Sequence, residues 1–488
     1  MTVDLKMFRL PTTAACGLAG ILLALALATP AIADDDLPDV QRVADALVAE
    51  ALESNLGLSA VQAGVDQRLA ALDIARARFL PTLDLQLRYS AADGGREFEL
   101  PVGDLLNPVY DSLNALLAAA GQPAPFTPIA NQTLGFLRER EQDSVLRLSQ
   151  PLYDARITAA RRQASYGYDA ARYGLEAYRL QLERDVRQAY YRWLASREAI
   201  DILAATLELA QENERVNGSL YRNGKVTRDL VLRAEADRLK IDQRLARARA
   251  TASIALRYVN LLRNAPLTRE LESATVTDAD LPRIAARIPR PAGAAAAALQ
   301  LEGAALERRN ELRQLDAGIA AAGESEQIAR AAYQPQVALA VDAGTQGAEW
   351  DYSDQDQYVM ASVIVRFNLF NGGADRASVH AARARSAELM AGRALAEQQI
   401  RIQVHEALSD LEVAEASLAT ASRRRDAADA AFAIIAKKRD LGQVSPAEYL
   451  DAQRALTEAR LNGNVTRYEA LAALAQVEYA IGGVEQQP

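Results

Sequence analysis

The sequence predicts a mainly α-helical protein with a small β part, built twice from one unit: a strand pair followed by a long helix hairpin. Three observations predict it. Sequence landmarks recur in the same order in the two halves. Each half holds a proline-free stretch of about 67 residues rich in Ala, Leu, Glu, Arg and Gln. Segments with strict two-residue alternation of apolar and polar side chains lie just before those stretches.

The landmarks come in three pairs. Gly224-Lys225-Val226-Thr227, followed by Leu232 and Ala234, matches Gly442-Gln443-Val444-Ser445, followed by Leu450 and Ala452, at an offset of 218 residues. Arg76 to Pro81 matches Arg330 to Pro335 at an offset of 254, and Leu152-Tyr153-Asp154 matches Leu369-Phe370-Asn371 at 217. The difference between 254 and 217 places about 37 additional residues in the first copy, between its first and second landmarks. The organisation expected is a leader over 1–33, a first repeat over 34–263, a linker over 264–298 and a second repeat over 299–488.

The leader reads as a secretory signal peptide. Lys6 and Arg9 precede an apolar run from Ala14 to Ala28, and Ala31-Ile32-Ala33 offers a small-residue cleavage site. A run of about 15 apolar residues is too short to span a bilayer. The sole cysteine, Cys16, lies inside this leader, so an exported mature chain has neither a disulfide nor a lipidated thiol. Without Asp4, Lys6 and Arg9 the mature chain has 53 basic and 63 acidic residues, a net charge of −10, which disfavours nucleic acid as a partner.

Helices are expected from about Ala155 to Arg222 and from about Asp375 to Leu441. Val186, Trp193, Ile200 and Leu207 recur at heptad spacing, with Leu203 and Ala210 three residues after the last two, and Val404, Leu408, Leu411 and Leu418 behave likewise. At 1.5 Å per residue each helix would be roughly 100 Å long. Gly224 and Gly442 end them as C-terminal caps. Returning helices are expected over about 227–262 and 446–481, with Pro446 suited to a first turn.

Four strands are expected. Leu83, Leu85, Leu87 and Tyr89 alternate with Asp84, Gln86, Arg88 and Ser90; Val359 to Leu369 alternate in the same way; Leu146 to Leu152 and Val337 to Val341 are shorter. A single amphipathic strand also suits a soluble sandwich. Four of them, beside such long helices and behind a signal peptide, point to membrane barrel strands. Four strands cannot close a barrel, and lipid does not tolerate an open edge, so several chains must pool their strands. The loop over 91–143 should carry a short helix, Asp111 to Ala120, and prolines at 123, 125 and 128. The loop over 342–358 is acidic (Asp342, Glu349, Asp351, Asp354, Asp356), with Trp350 and Tyr352 near the lipid boundary. Both loops would lie outside the cell.

On these residues the chain resembles the TolC-like outer-membrane channel-tunnel (efflux) proteins over about residues 40–482. The resemblance rests on Phe79-x-Pro81 and Tyr333-x-Pro335 entering strands, Gln150 to Asp154 and Asn368 to Gly373 leaving them, and the two glycine turns. It implies a homotrimer whose twelve strands form an outer-membrane barrel continued by a periplasmic α-helical barrel. It also implies an exit duct for a tripartite efflux or type I secretion system, served by an inner-membrane pump and a periplasmic adaptor (membrane fusion) protein. The adaptor would dock at Asn223-Gly224-Lys225 and Leu441-Gly442-Gln443. Members of the family narrow the periplasmic tip with acidic residues at positions that are Glu448 and Asp451 here. Spacing of three puts both on one helix face, and the alternative for them is a solvated face. Where some members lock the tip with an arginine, this chain has Val444, and the first copy has Leu230 and Arg233 at the acid positions, so the locking contacts must differ; Arg228 and Arg233 are candidates.

No catalytic constellation, cofactor motif or metal spacing emerges. His380 and His405 lie in a long helix without cysteine partners, and no glycine-rich phosphate loop follows a strand. The competing reading is a periplasmic coiled-coil scaffold without a pore, which would have no use for period-two strands of membrane length.

Overall fold

The computed structural model describes residues 39–286, 288, 294–348 and 356–483. The leader and residues 349–355, with Trp350 and Tyr352, lie outside the described residues. In the first half, α1 (Asp39–Ser54), α2 (Leu56–Ala77), β1 (Thr82–Ala91), β2 (Glu97–Leu100), α3 (Val102–Ala119), β3 (Gln132–Gly135), β4 (Arg140–Tyr153), α4 (Ala155–Arg222) and α5 (Arg228–Leu262) follow one another. A short α6 (Asp280–Ala285) leads to the second half: α7 (Ala294–Arg308), α8 (Asn310–Arg330), β5 (Gln336–Gly347), β6 (Gln357–Arg366), α9 (Ala374–Asp440) and α10 (Pro446–Ala480). The long helices are 68 and 67 residues, and both returning helices are 35.

The helix ends have local causes. Asp154 caps α4 by accepting from the Arg156 N–H at 2.9 Å. Gly224 ends it with φ +67°, and Gly442 ends α9 with φ +72°, the left-handed conformation that costs glycine little. In each half a kinked helix pair precedes the strands. Asn55 separates α1 from α2, caps α2 through Leu58 N, and donates to the Leu262 carbonyl at 2.6 Å. Arg309 separates α7 from α8 and donates to the Ala480 carbonyl at 3.3 Å. Asn55 and Arg309 are 254 residues apart and Leu262 and Ala480 are 218 apart, the same offsets as the sequence landmarks.

The core sits at mid-height, where α1, α4, α9, α10 and the linker meet. Val186, Tyr190, Leu194, Leu411, Leu471 and Leu474 are almost fully buried there. Each such aliphatic side chain contributes about 1.5–3 kcal/mol by leaving water. Tyr190 stacks on Trp193 with ring centroids 5.8 Å apart. Its hydroxyl donates to the Glu272 carbonyl at 2.9 Å and accepts from Ala274 N at 3.2 Å, fastening the linker to α4. Of the heptad positions, Val186, Trp193, Leu203 and Ala210 are buried, while Ile200 and Leu207 are half-buried.

Antiparallel pairing gives one sheet in the order β1-β4-β5-β6, with β1 and β6 at its edges, and a separate β2-β3 hairpin. Four boundaries depart from expectation. Strand β6 ends at Arg366 rather than running on to Leu369. The loop helix is α3, starting at Val102 rather than Asp111 and running through Pro108. Strands β4 and β5 extend to 14 and 12 residues, so Asp342 lies within β5 rather than in the acidic loop. The apolar run Ala294 to Ala298, expected in the linker, opens α7.

Candidate functional site

The tip of the long hairpins is made of the two glycine turns. At the first, Gly224 N donates to Tyr221 O at 2.9 Å and Lys225 N to Leu220 O at 2.8 Å; at the second, Gly442 N donates to Arg439 O and Gln443 N to Lys438 O, each at 2.9 Å. This is the paired closure of a Schellman cap, built the same way twice. The next helix then restarts at once. Ser445 caps α10 by accepting from Glu448 N at 3.2 Å, which places Glu448 at the third helical position of a capping-box pattern. Asn223, Gly224, Lys225, Leu441, Gly442 and Gln443 are all exposed.

Glu448 and Asp451 lie on α10 just above that turn and both face water. Asp451 has a side chain 77% exposed, with one oxygen 3.7 Å from Arg454 Nη1. Between them Tyr449 turns inward, 5.4 Å from the Phe432 ring, with the Arg439 guanidinium 4.1 Å over its face. Burial raises the Tyr449 hydroxyl above its ordinary pKa. The two carboxylates therefore project from a face whose opposite side is anchored by an aromatic side chain.

The contact that ties the halves together near the tip was not anticipated. Arg454 Nε donates to Asp237 Oδ1 at 2.9 Å, joining α10 to α5. Arg233 instead pairs with Asp229 on its own helix, at 3.8 Å. The seam between α4 and α10 has a polar contact where a coiled coil is normally apolar: Thr206 and Thr457 hydroxyls are 3.3 Å apart, and Asn213 and Asn217 on α4 and Gln453 on α10 are also buried.

At the other end, the sheet register separates two faces. Leu83 pairs with Leu148, Leu85 with Leu146, Leu148 with Val341, Val341 with Ala361 and Leu339 with Val363. On this face Leu83, Leu85, Leu87, Val359, Val363 and Val365 are exposed, which suits lipid. The opposite face carries Asp84, Arg147 and Asp342 in one row. Arg147 grips Asp342 through two hydrogen bonds of 2.7 Å each, and Arg88 reaches Asp143 at 3.2 Å. That bidentate pair is why Asp342 belongs to a strand: its charge is met from the neighbouring one.

No helix among the described residues is long and apolar enough to cross a membrane, and no group of three His, Cys, Asp or Glu side chains among them could hold a metal ion. His405 Nε2 lies 3.3 Å from Glu302.

The sheet, the hairpins and their order match a protein family. The model of the outer membrane efflux protein family covers residues 129–262 and 301–483. The chain belongs to the outer membrane efflux protein family. It is similar to the pyoverdine export outer membrane protein OpmQ of Pseudomonas putida, 25% identical over 344 residues, which is 67% of each chain. Among solved structures, the CmeC outer membrane channel of Campylobacter jejuni superposes with a TM-score of 0.73 at 18% identity, covering 91% of this chain and 87% of CmeC. The open-state MtrE outer membrane channel of Neisseria gonorrhoeae gives 0.70 at 19% identity, covering 91% and 89%. As a member of the family the chain is an outer-membrane exit duct of an efflux system, with its long helices extending into the periplasm. The pore-free scaffold is thereby set aside.

Proposed function

We propose that three copies of this chain pool their sheets into one twelve-stranded barrel, continued by a periplasmic tunnel made of their helix hairpins. The observation that carries this is the four-stranded sheet, whose edge strands β1 and β6 have no further partner strand among the described residues. In lipid an unpaired edge leaves backbone N–H and C=O groups without partners at several kcal/mol each, and pairing β6 of one copy with β1 of the next removes every edge.

In such an assembly Glu448 and Asp451 from each copy form two stacked rings of negative charge at the periplasmic constriction. The exposed turns Asn223-Gly224-Lys225 and Leu441-Gly442-Gln443 receive a periplasmic adaptor that couples the duct to an inner-membrane pump. The unit repeated is 34–263 and 299–488, joined by the linker over 264–298. Small-molecule efflux, rather than protein secretion, is favoured by the likeness to OpmQ, an exporter of pyoverdine. The test is the mass of the purified particle in detergent, corrected for bound detergent: three chain masses are expected, and a monodisperse monomer rejects the proposal.

A further inference from the structure

The insertion over residues 92–139 has no counterpart in the second half. Its helix α3 presents large apolar side chains to solvent along one side. Leu105, Val109, Leu113 and Leu116 recur at helical spacing, with Leu106 beside them, and Leu105 and Leu116 are 71% and 69% exposed. An apolar stripe of this kind on a helix is normally covered.

The opposite side of α3 is already seated on its own chain. Asn107 exchanges two hydrogen bonds with Ile129, donating to its carbonyl at 2.9 Å and accepting from its N–H at 2.8 Å. Asn114 does the same with Phe126, at 2.7 and 3.2 Å. The Asn131 side chain accepts from Gly103 N at 3.0 Å, and Tyr110 packs on Phe126 with ring centroids 5.1 Å apart. At Gly103 a Cβ would meet the Ile129 carbonyl at 2.2 Å, so helix and segment approach as closely as glycine permits. The side that bears the stripe is thus held outward by a built seat.

Charge and position narrow what can cover it. Helices that lie on membranes are rich in Lys and Arg on their polar side, whereas α3 has neither and carries Asp104 and Asp111. The whole insertion has six acidic and two basic residues, a net −4, which disfavours an anionic lipid surface. The insertion grows out of the top of β1, the edge strand, whose last pair with β4 is Ala91 with Arg140. In the proposed trimer that edge meets the next copy, so the stripe stands beside the junction between protomers.

We infer that the stripe Leu105, Val109, Leu113 and Leu116 packs against a second copy of this chain, so that three insertions form an extracellular collar above the barrel. This rests on the trimer proposed above. The test places the photo-crosslinking residue p-benzoyl-phenylalanine at Leu113 in the full-length protein in outer membranes, with Asp111, on another side of the same helix, as the comparison position. Illumination should give a covalent dimer of the chain from Leu113 and little or none from Asp111. Equal dimer from both positions, adducts only with lipid or with another protein, or no adduct in a particle of three chain masses would overturn the collar while leaving the trimer standing. A particle of one chain mass would overturn both.

Discussion

Arg454 and Asp237 form the ion pair that joins the two halves of the chain near the periplasmic tip. Nε and Oδ1 are 2.9 Å apart, and the Asp237 side chain is only 3% exposed. The same guanidinium lies 3.7 Å from Asp451, so one cation links the proposed constriction carboxylate to the seam between α5 and α10.

The first prediction follows from that arrangement. Arg454→Ala strands a buried carboxylate, at a cost of about 1–3 kcal/mol or somewhat more for a charged group. The tip should loosen, and single-channel conductance in planar bilayers should rise above wild type. Unchanged conductance would mean that the pair only braces the helices.

Glycine at the tip turns is required by backbone conformation alone. Both Gly224 and Gly442 have positive φ, and a Cβ at either would meet open space. Gly224→Val with Gly442→Val should cost about 1–2 kcal/mol per turn from the left-handed geometry. Adaptor capture from solubilised membranes should fall while assembly persists, and Gly442→Asn should be tolerated. Full adaptor capture by the double valine variant would exclude these turns as the docking site.

Asn55 and Arg309 do one job with different chemistry, holding the helix break to the end of the returning helix. Asn55→Ala removes a helix cap and a cross-link to Leu262, and should cost about 1–2 kcal/mol. Arg309→Ala should cost more, because the guanidinium also grips Glu311 and stacks 4.6 Å over Tyr479. Thermal unfolding of the purified protein should rank the two in that order; the reverse ranking would contradict the contacts.

Acid sensitivity should reside in part at Asp278. Burial works to raise its pKa, but hydrogen bonding and charge from Arg467, with Ser422 and Arg425, outweigh it and hold the group below its ordinary 3.8. A depressed folded-state value means the stabilisation is complete above about pH 4 and is lost as pH falls through the folded value. Asp278→Asn should therefore lower the melting temperature near neutrality and flatten its decline below pH 4. A decline as steep as wild type would assign the acid loss to other carboxylates.

Much of this fold was legible because its signals are local. Gly224, Gly442 and Pro446 placed the helix boundaries within about a residue of those found, since positive φ and a missing N–H act on the chain where they occur. Leu83 to Tyr89 and Val359 to Val365 form strands because alternation is a property of consecutive residues, although β6 stops at Arg366, short of the Leu369 expected. What escaped depends on tertiary contact. Arg454 and Asp237 are 217 residues apart and carry no spacing signal. Asp342 read as loop acid because its partner, Arg147, comes from another strand. The helix breaks at Asn55 and Arg309 carry no proline and share no turn motif, although both sit at the landmark offset. Helix α3 starts nine residues ahead of the expected Asp111, with Pro108 in its second turn, where one lost bond is outweighed by the seat beneath. Glu448 and Asp451 are placed side by side by their spacing, but only the proposed threefold arrangement would make them a ring.

The cation selectivity of single channels, measured under a salt gradient in planar bilayers, tests the central claim most directly. Wild type is compared with Glu448→Gln plus Asp451→Asn, substitutions that remove the charges while keeping the capping-box geometry at position 448. If three copies converge on Glu448 and Asp451, wild type should prefer cations and be blocked by multivalent cations from the periplasmic side. The double variant should lose most of both properties with its assembly unchanged. Equal selectivity and equal block in the two proteins would contradict the account and place the constriction elsewhere on the helices.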